Sequence, residues 1–348
     1  MRMDELDYDL PADRIAQHPV EPRDAARLLV DRGPGQPVEH RHVSDLAGLV
    51  GQGDVVAVND TRVLPARLRL RKRSGGEAEV LLLEPMATAG TWTALVRPGR
   101  RLRPGTVLRS PVVGADLEVV VGDEVAPGTR TVEVSAGGDP VDGEVAEQAL
   151  AGIGEVPLPP YIRVDLDDPE RYQTVFARAP ASVAAPTAGL HLTEPLLERI
   201  RARGARVESV ELVVGVATFR PVTVDDPADH VIGSERYRVP EPTWGACTEA
   251  ERVVAIGTTT VRALESVAAT GALTGRTDLF IRRPYHFAVV DALVTNFHMP
   301  RSTLLLMLDA FVGSRWHHLY DEALATGYRF LSFGDAMLVG ATGWPRSA

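Results

Sequence analysis

Apolar and polar residues follow two different patterns along this chain. Between residues 62 and 150, short stretches alternate apolar and polar side chains, for example RLRLR at 67–71 and TWTALV at 91–96, and turns containing glycine or proline separate them. A period of two residues is typical of strands that bury one face. Many short strands at such spacing favour a small antiparallel barrel or sandwich. We therefore predict an all-β domain over residues 62–150.

The segments on both sides of this region alternate short apolar runs with helical periodicity. Leu192, Leu196, Leu197 and Ile200, for example, recur at the spacing of one helix face. Alternation of strand-like and helical segments is the signature of an α/β domain, and 348 residues are long for a single hydrophobic core. We predict a discontinuous α/β main domain, formed by residues 1–61 and 151–348, into which the all-β domain is inserted.

Within the α/β part, an apolar run ends in a polar stretch of small residues five times. These stretches are VVAVNDTR (55–62), SVAAPTAGLHLT (182–193), VELVVGVATF (210–219), VVAIGTTTVR (253–262) and DALVTNFHMP (291–300). In α/β sheets, ligands bind beyond the carboxyl ends of the strands, where the connecting loops converge. The pattern predicts one shared cleft lined by Asn59, Asp60, His191, Thr258, Thr259, Asn296 and His298.

Composition narrows the class of protein. A hydrophobic fraction of 45% and a charged fraction of 24% are typical of a soluble globular protein. The first residues lack the pattern of a signal peptide, and the longest apolar runs are too short to span a bilayer. The single cysteine, Cys247, excludes an internal disulfide framework and a metal site built from several cysteines. We expect a cytoplasmic protein that does not enter a membrane.

Charge is unevenly distributed along the chain. The net charge is −10, yet residues 60–110 carry eleven Arg or Lys against four Asp or Glu. A basic segment in an acidic protein is the footprint of a polyanion-binding face; a solvated strand face gives the same pattern. The basic residues of interest are Arg67, Arg69, Arg71, Arg101 and Arg103.

Two kinds of residue in the predicted cleft carry chemistry. Thr258 and Thr259 open a helix, where free backbone N–H groups bind anions, although no nucleotide-binding glycine motif accompanies them. Neutral imidazoles such as His191 and His298 suit general acid–base catalysis. Structural alternatives stay open. His191 can be a packed side chain, and Arg262 and Glu265, which follow the threonines on the same helix, can simply pair with each other. No spacing of ligands predicts a metal site.

Long blocks of the sequence resemble the S-adenosylmethionine:tRNA ribosyltransferase-isomerase family of queuosine biosynthesis. The blocks run nearly from end to end and include DYDLPADRIAQHPVEPRDAARLLV, GDVVAVNDTRVLPARL, SVAAPTAGLHLTEPLL, VVAIGTTTVRALES, VDALVTNFHMPRSTLLL and YRFLSFGDAML. The resemblance implies the fold of the family, an α/β domain that carries an inserted β-barrel. This fold agrees with the hydrophobic pattern.

The resemblance also implies a reaction. Members of the family transfer and isomerise the ribosyl part of S-adenosylmethionine onto 7-aminomethyl-7-deazaguanine at the wobble position of tRNA, and epoxyqueuosine, adenine and methionine are formed. S-adenosylmethionine is a co-substrate there, and no metal is implied. Such a site must help to remove a proton next to the sulfonium and must position the aminomethyl nucleophile. The implied partner is a tRNA, and we expect a monomer.

The strand-end pattern and the resemblance together predict a set of site residues. The implied catalytic residues are His191, His298 and Glu235. The implied co-substrate-binding residues are Asn59, Asp60, Ala185, Pro186, Thr187, Ala188, Gly189, Gly257, Thr258, Thr259, Arg262, Glu265, Asn296 and Phe297.

The chain departs from the family pattern at four places. Val213 and Gly233 stand where the family has histidines, Ala217 stands where it has a glycine, and Arg283 lies in the altered block IRRPYHF (281–287). Losing two imidazoles changes the acid–base groups available in the cleft. Two alternatives therefore stay open at this stage: a paralogue that uses S-adenosylmethionine on a small-molecule acceptor, and a non-catalytic tRNA-binding protein.

Overall fold

The computed structural model describes residues 2–143, 145–215 and 222–340. Its contacts divide the chain into two compact units. The first, which we call the sheet unit, comprises Met1–Asp60, Pro159–Ala177 and Pro186–Ala348. The second, the barrel unit, comprises Thr61–Leu158 and Arg178–Ala185.

The strands and helices are numbered along the chain. The strands are β1 (Arg27–Asp31), β2 (Glu39–His42), β3 (Asp54–Asn59), β4 (Thr61–Val63), β5 (Arg67–Lys72), β6 (Glu77–Pro85), β7 (Thr91–Arg97), β8 (Val107–Arg109), β9 (Leu117–Ala126), β10 (Thr129–Ala136), β11 (Asp139–Pro140), β12 (Gly154–Glu155), β13 (Ala179–Ser182), β14 (Arg206–Leu212), β15 (Glu235–Arg238), β16 (Arg252–Ile256), β17 (Thr274–Thr277), β18 (Ala292–Asn296) and β19 (Ala336–Gly340). The α-helices are α1 (Ala146–Leu150), α2 (Glu194–Ala202), α3 (Glu241–Glu249), α4 (Thr258–Thr270), α5 (Thr303–Val312) and α6 (Arg315–Ala325).

A nine-stranded mixed sheet forms the centre of the sheet unit. Its strand order is β17-β15-β14-β3-β16-β18-β19-β1-β2. The neighbours β14, β3, β16 and β18 run parallel, so their carboxyl ends meet at one edge of the sheet. Every residue of β3 and β18 is buried, which explains why these strands read as continuous apolar runs rather than as alternating ones.

The barrel unit is built on a closed ring of six antiparallel strands. The order is β10-β7-β6-β5-β8-β9, and pairing of β9 with β10 closes the ring. Leu68 and Leu70 of β5 are buried while Arg69 and Arg71 are exposed, as the alternation predicts. The interior also holds Trp92, whose indole N–H donates to the Val141 carbonyl at 2.7 Å. The predicted fold class, an α/β domain with an inserted all-β barrel, is confirmed.

The limits of the compact units differ from the predicted domain limits at three places. Thr61 and residues 151–158 and 178–185, which we predicted to belong to the α/β domain, lie in the barrel unit. The reason is strand pairing, because β12 pairs with β5 and β13 pairs with β4. The division into folding domains at 62 and 150 stays a prediction.

The helix indicated by the apolar spacing from Leu192 begins two residues later, at Glu194. Residues Thr187–His191 form a separate 3₁₀ turn, and α2 starts after Thr193, whose hydroxyl accepts the Leu196 N–H at 3.2 Å. Leu196 and Ile200 then pack into the core beneath the sheet. Over the described residues, none of the helices combines the length and the apolar character needed to cross a bilayer.

Candidate functional site

Four of the five predicted polar strand ends share one edge of the sheet. Asn59, at the end of β3, is 1% exposed and links β14 to the start of α4. Its amide nitrogen donates to the Leu212 carbonyl at 2.9 Å and to the Thr259 hydroxyl at 3.3 Å, while its amide oxygen accepts the Leu212 N–H at 3.2 Å. Asp60 follows, and its backbone N–H donates to the Val210 carbonyl at 3.0 Å. These bonds fix the positions of β14 and of the start of α4.

The fifth stretch does not continue a strand of this sheet. Ser182 ends β13, and the 3₁₀ turn that follows reaches the sheet edge at Asn296. The Thr187 hydroxyl donates to the Asn296 side-chain oxygen at 3.0 Å, and the Asn296 amide nitrogen lies 3.0 Å from His191 Nε2. Since an amide nitrogen only donates, His191 Nε2 accepts and the imidazole is neutral with its proton on Nδ1.

Burial explains why His191 stays neutral. Desolvation, with repulsion from Arg329 and Arg23, lowers the pKa of His191 to about 4. The ring faces a small recess shared with Arg23 and Ser332. His191 is therefore a buried hydrogen-bond acceptor that holds Asn296.

The small residues of 185–189 are required by close packing. A Cβ atom on Gly189 would lie 2.8 Å from the Phe176 ring, closer than such atoms approach in proteins. Ala188 lies against Gly257, where a Cβ would be 3.6 Å away and the backbone φ of +90° favours glycine. Ala185 and Pro186 are buried, Ala185 in the barrel unit and Pro186 in the sheet unit. These residues bring the 3₁₀ turn against the start of α4.

The sheet unit contains a cavity of about 370 Å³ beside the start of α4. Its walls come from Thr223 and from the segments 230–235, 258–262, 279–281 and 303–307. Leu279, Phe280, Ile281, Leu304 and Met307 form the apolar side. The volume is that of a ligand site for a drug-sized molecule.

A buried ion pair closes the polar side of this cavity. Arg262 Nη1 donates to Glu235 Oε2 at 2.5 Å, and the two residues are 7% and 6% exposed. The same guanidinium donates to the carbonyls of Gly233, Thr277 and Leu279 at 2.9 to 3.0 Å. Burial lowers the pKa of Arg262, and Glu235 opposes this effect. The pair contributes no net charge and holds the 233–235 and 277–279 segments together.

His298 and Phe297 lie outside the cavity, in an aromatic cluster. Nε2 of His298 lies 3.0 Å from the Thr295 hydroxyl, its backbone N–H donates to Tyr320 Oη at 2.8 Å, and its carbonyl accepts from Tyr8. Burial lowers the pKa of His298 to about 3. Phe297 is fully buried against Tyr320 with ring centroids 5.4 Å apart.

Glu265 uses its carboxylate to fix a loop. It accepts hydrogen bonds from the backbone N–H groups of Ala288, Val289 and Val290 and from the Tyr285 hydroxyl, at 2.9 to 3.1 Å. Burial, together with this carboxylate, raises the pKa of Tyr285. Arg262 and Glu265 do not pair with each other, because each binds a different segment.

The structure thus divides the predicted site residues into two groups. Four of them line the cavity: Glu235, Thr258, Thr259 and Arg262. The others are not among the lining residues of the cavity: Asn59, Asp60, Ala185, Pro186, Thr187, Ala188, Gly189, His191, Gly257, Glu265, Asn296, Phe297 and His298. Their roles as catalytic or binding residues stay predictions.

Sequence reasoning missed several cavity residues. His230 lines the cavity five residues before Glu235, and its position in the same short block was the available sign. Phe280 and Met307 come from a loop and from α5. No local pattern shows that these two side chains meet.

The departures from the family pattern fall at different places. Gly233 lines the cavity, whereas Val213 is buried outside it and its N–H donates to the Arg236 carbonyl at 2.9 Å. Arg283 makes a two-pronged ion pair with buried Asp309 at 2.6 and 2.7 Å. Ala217 lies outside the described residues.

The predicted basic face lies on the barrel unit and is partly neutralised. Arg69 pairs with Glu155 at 2.7 Å, and Arg71 lies 3.8 Å from Glu77. Arg67 is half-buried, and its guanidinium donates to the Leu158 carbonyl at 3.5 Å. Arg101 and Arg103 are exposed, and neither makes an ion pair within the described part of the chain. Of the five arginines singled out in the sequence, Arg101 and Arg103 are therefore the two whose charge no ion pair compensates within the described residues.

Groups of three or more His, Cys, Asp or Glu side chains able to hold a metal ion are absent from residues 2–143, 145–215 and 222–340. The polar groups of the cavity are hydroxyls, one imidazole and one ion pair. Such groups suit an organic ligand that carries hydroxyls and an apolar ring.

Comparison with known proteins assigns the chain to a family. The family described as "Queuosine biosynthesis protein" matches residues 3–339. Proteins named S-adenosylmethionine:tRNA ribosyltransferase-isomerase are similar to it in Symbiobacterium thermophilum (46% identity over 97% of this chain and 100% of the relative) and in Rubrobacter xylanophilus (48%, over 97% and 98%). A crystal structure of the S-adenosylmethionine tRNA ribosyltransferase of Thermotoga maritima is similar with 37% identity and a TM-score of 0.54, over 96% of this chain and 99% of the other. The chain therefore belongs to the queuosine biosynthesis protein family.

Proposed function

We propose that this chain is an S-adenosylmethionine:tRNA ribosyltransferase-isomerase of queuosine biosynthesis. It transfers and isomerises the ribosyl part of S-adenosylmethionine onto 7-aminomethyl-7-deazaguanine at the wobble position of tRNA, and it releases adenine and methionine. The observation that carries this function is similarity along nearly the whole chain to relatives of that name, at 46% and 48% identity. Small-molecule transfer and tRNA binding without catalysis are not favoured, because relatives covered over 98–100% of their length carry the enzyme's name.

We propose that the cavity of the sheet unit binds S-adenosylmethionine. Its apolar side, which includes Phe280 and Met307, suits the adenine ring, and the hydroxyls of Thr258 and Thr259 suit the ribose. The paired charges of Glu235 and Arg262 sum to zero, so the wall does not repel the sulfonium cation. Three further residues position the binding site without contacting the ligand. Asn59 holds Thr259 at the start of α4, and Asn296 holds the neighbouring 3₁₀ turn through Thr187 and His191.

We propose that the tRNA contacts Arg101 and Arg103. Both guanidinium groups are exposed, and each neutralised phosphate releases counterions and so favours binding. Arg69 contributes less, because Glu155 already compensates its charge.

The test is a product assay. The protein is incubated with S-adenosylmethionine and a tRNA that carries 7-aminomethyl-7-deazaguanine, and the nucleosides and free adenine are then measured by mass spectrometry. We expect epoxyqueuosine and adenine in equal amounts. Adenine without a modified nucleoside would indicate another acceptor, and tRNA binding without adenine would indicate a non-catalytic protein; either result would overturn the proposed function.

A further inference from the structure

The cavity offers one free candidate base among its described lining residues. Three of these residues are titratable in the relevant range or charged: His230, Glu235 and Arg262. Glu235 is committed, since Oε1 accepts the Gly215 N–H at 2.9 Å and Oε2 accepts from Arg262. Arg262 is a cation and donates to Glu235 and to three carbonyls. The remaining group is the imidazole of His230.

Local structure holds His230 at the cavity wall. It follows a short 3₁₀ turn, Pro227–Asp229, whose Ala228 N–H donates to the Asp226 carboxylate at 2.8 Å, and its own N–H donates to the Pro227 carbonyl at 3.2 Å. Its ring packs against Phe280 with centroids 5.6 Å apart and planes at 59°. Within the described residues no side chain hydrogen-bonds the ring nitrogens, so a lone pair is available to a bound ligand.

The protonation state of His230 suits a base. Desolvation lowers the pKa of His230 below its ordinary value of about 6.5, so the ring is neutral at pH 7. The charged groups near it are the compensated Glu235–Arg262 pair on the same cavity, Asp229 in the preceding turn, and Arg282, whose guanidinium lies 5.9 Å from the Phe280 ring. By contrast, Nε2 of His191 bonds to Asn296 and Nε2 of His298 bonds to Thr295, and none of these four residues lines the cavity.

We propose that His230 is the catalytic base that removes a proton from C5′ of S-adenosylmethionine, the ribose carbon bonded to the sulfonium sulfur; this rests on the function proposed above. The C5′–H bond breaks, its electron pair stays on C5′ next to the positive sulfur, and the proton moves to the free imidazole nitrogen to give an imidazolium. The positive sulfur stabilises the electron pair on C5′ electrostatically, so the step requires no oxidant.

The experiment compares His230→Gln with His286→Gln. His286 is exposed and does not line the cavity, so it controls for loss of a histidine. We measure kcat and KM for adenine release with the modified-precursor tRNA, and repeat the assay with S-adenosylmethionine that carries deuterium at C5′. Calorimetry of S-adenosylmethionine binding reports whether His230→Gln keeps its cavity.

We expect His230→Gln to lower kcat by about 10²–10⁴-fold, the usual contribution of a positioned base, with a Kd for S-adenosylmethionine within about threefold of wild type. The deuterium isotope effect on kcat should rise, because proton removal becomes the slow step. A kcat within threefold of wild type, or a slow variant without a larger isotope effect, would overturn the role of His230. Wild-type protein that releases no adenine would instead overturn the proposed function itself, and the two failures are therefore distinct.

Discussion

The carboxylate of Glu265 accepts four hydrogen bonds from the described loop 285–290, and replacing it by an amide tests this description. Oε1 accepts the N–H groups of Val289 and Val290 at 3.0 Å each, and Oε2 accepts the Ala288 N–H at 2.9 Å and the Tyr285 hydroxyl at 3.1 Å. Glu265 is 1% exposed, so water does not replace these partners. In Glu265→Gln the amide nitrogen is itself a donor.

The expected cost follows from this geometry. If Oε1 becomes the amide nitrogen, the N–H groups of Val289 and Val290 lose their acceptor; if Oε2 does, the Ala288 N–H loses its acceptor, while the Tyr285 hydroxyl can turn and accept instead. A hydrogen bond to a charged group contributes about 1.5–3 kcal/mol, so one or two lost bonds correspond to about 1.5–6 kcal/mol. This is a large part of the free energy of unfolding of a typical protein, about 5–15 kcal/mol.

The assay is urea unfolding of the full chain, followed by circular dichroism, with Glu198→Gln as the control. Glu198 is exposed on α2, and we expect its change to alter stability by less than about 0.5 kcal/mol. A Glu265→Gln variant within about 1 kcal/mol of wild type would refute the reasoning. A variant that keeps its stability but loses S-adenosylmethionine binding would show that Glu265 contacts the co-substrate, as the family resemblance implies.

Three further predictions follow from other contacts. His191 and His298 have folded pKa values of about 4 and about 3, below the unfolded value of about 6.5, so the unfolded chain binds more protons and stability falls as pH decreases from about 6.5 to 4. At about 1.36 kcal/mol per pKa unit, His191 alone accounts for a loss of about 3 kcal/mol in the free energy of unfolding over this pH range. Equal urea midpoints at pH 7 and pH 5 would contradict this prediction. Asn59→Ala should cost about 2–6 kcal/mol in urea unfolding, because both backbone groups of Leu212 lose their buried partner; a loss below about 1 kcal/mol would contradict the bridging role. The double change Arg101→Ala and Arg103→Ala should weaken tRNA binding and reduce the slope of log K against log salt by about 0.7–0.9 per lost phosphate contact, whereas Arg69→Ala should change it less; equal slopes would remove these residues from the tRNA interface.

The convergence of strand ends was predictable because it depends on a local rule. Parallel strands bring their carboxyl ends to one edge, and the apolar runs before Asn59 and Asn296 are long enough to identify buried strands. The barrel was predictable for a similar reason, since alternation with period two is visible within each strand. The family resemblance, carried by blocks along the whole chain, is confirmed by the match over residues 3–339.

The composition of the cavity was not predictable from such rules. Its walls come from segments far apart in sequence, and the sequence does not show which histidine faces the space that they enclose. In the sequence, His191 and His298 are candidates as good as His230. In the structure, however, His191 bonds to Asn296 and His298 lies in the aromatic cluster. The pairing of β12 with β5 and of β13 with β4 likewise depends on long-range contacts, and these moved residues 151–158 and 178–185 into the barrel unit.

The central claim is that S-adenosylmethionine binds in the cavity of the sheet unit, and its Kd in a variant with an added charge tests this claim most directly. Leu304 lines the cavity and is partly exposed, so Leu304→Lys places an ammonium there, while Leu304→Gln adds polarity without charge. Two unit positive charges about 4 Å apart repel by about 1–4 kcal/mol, depending on how much water screens them. We predict that calorimetry will show at least about tenfold weaker binding for Leu304→Lys and a Kd within about threefold of wild type for Leu304→Gln. Equal affinity of Leu304→Lys and wild type would contradict the claim and place the co-substrate elsewhere.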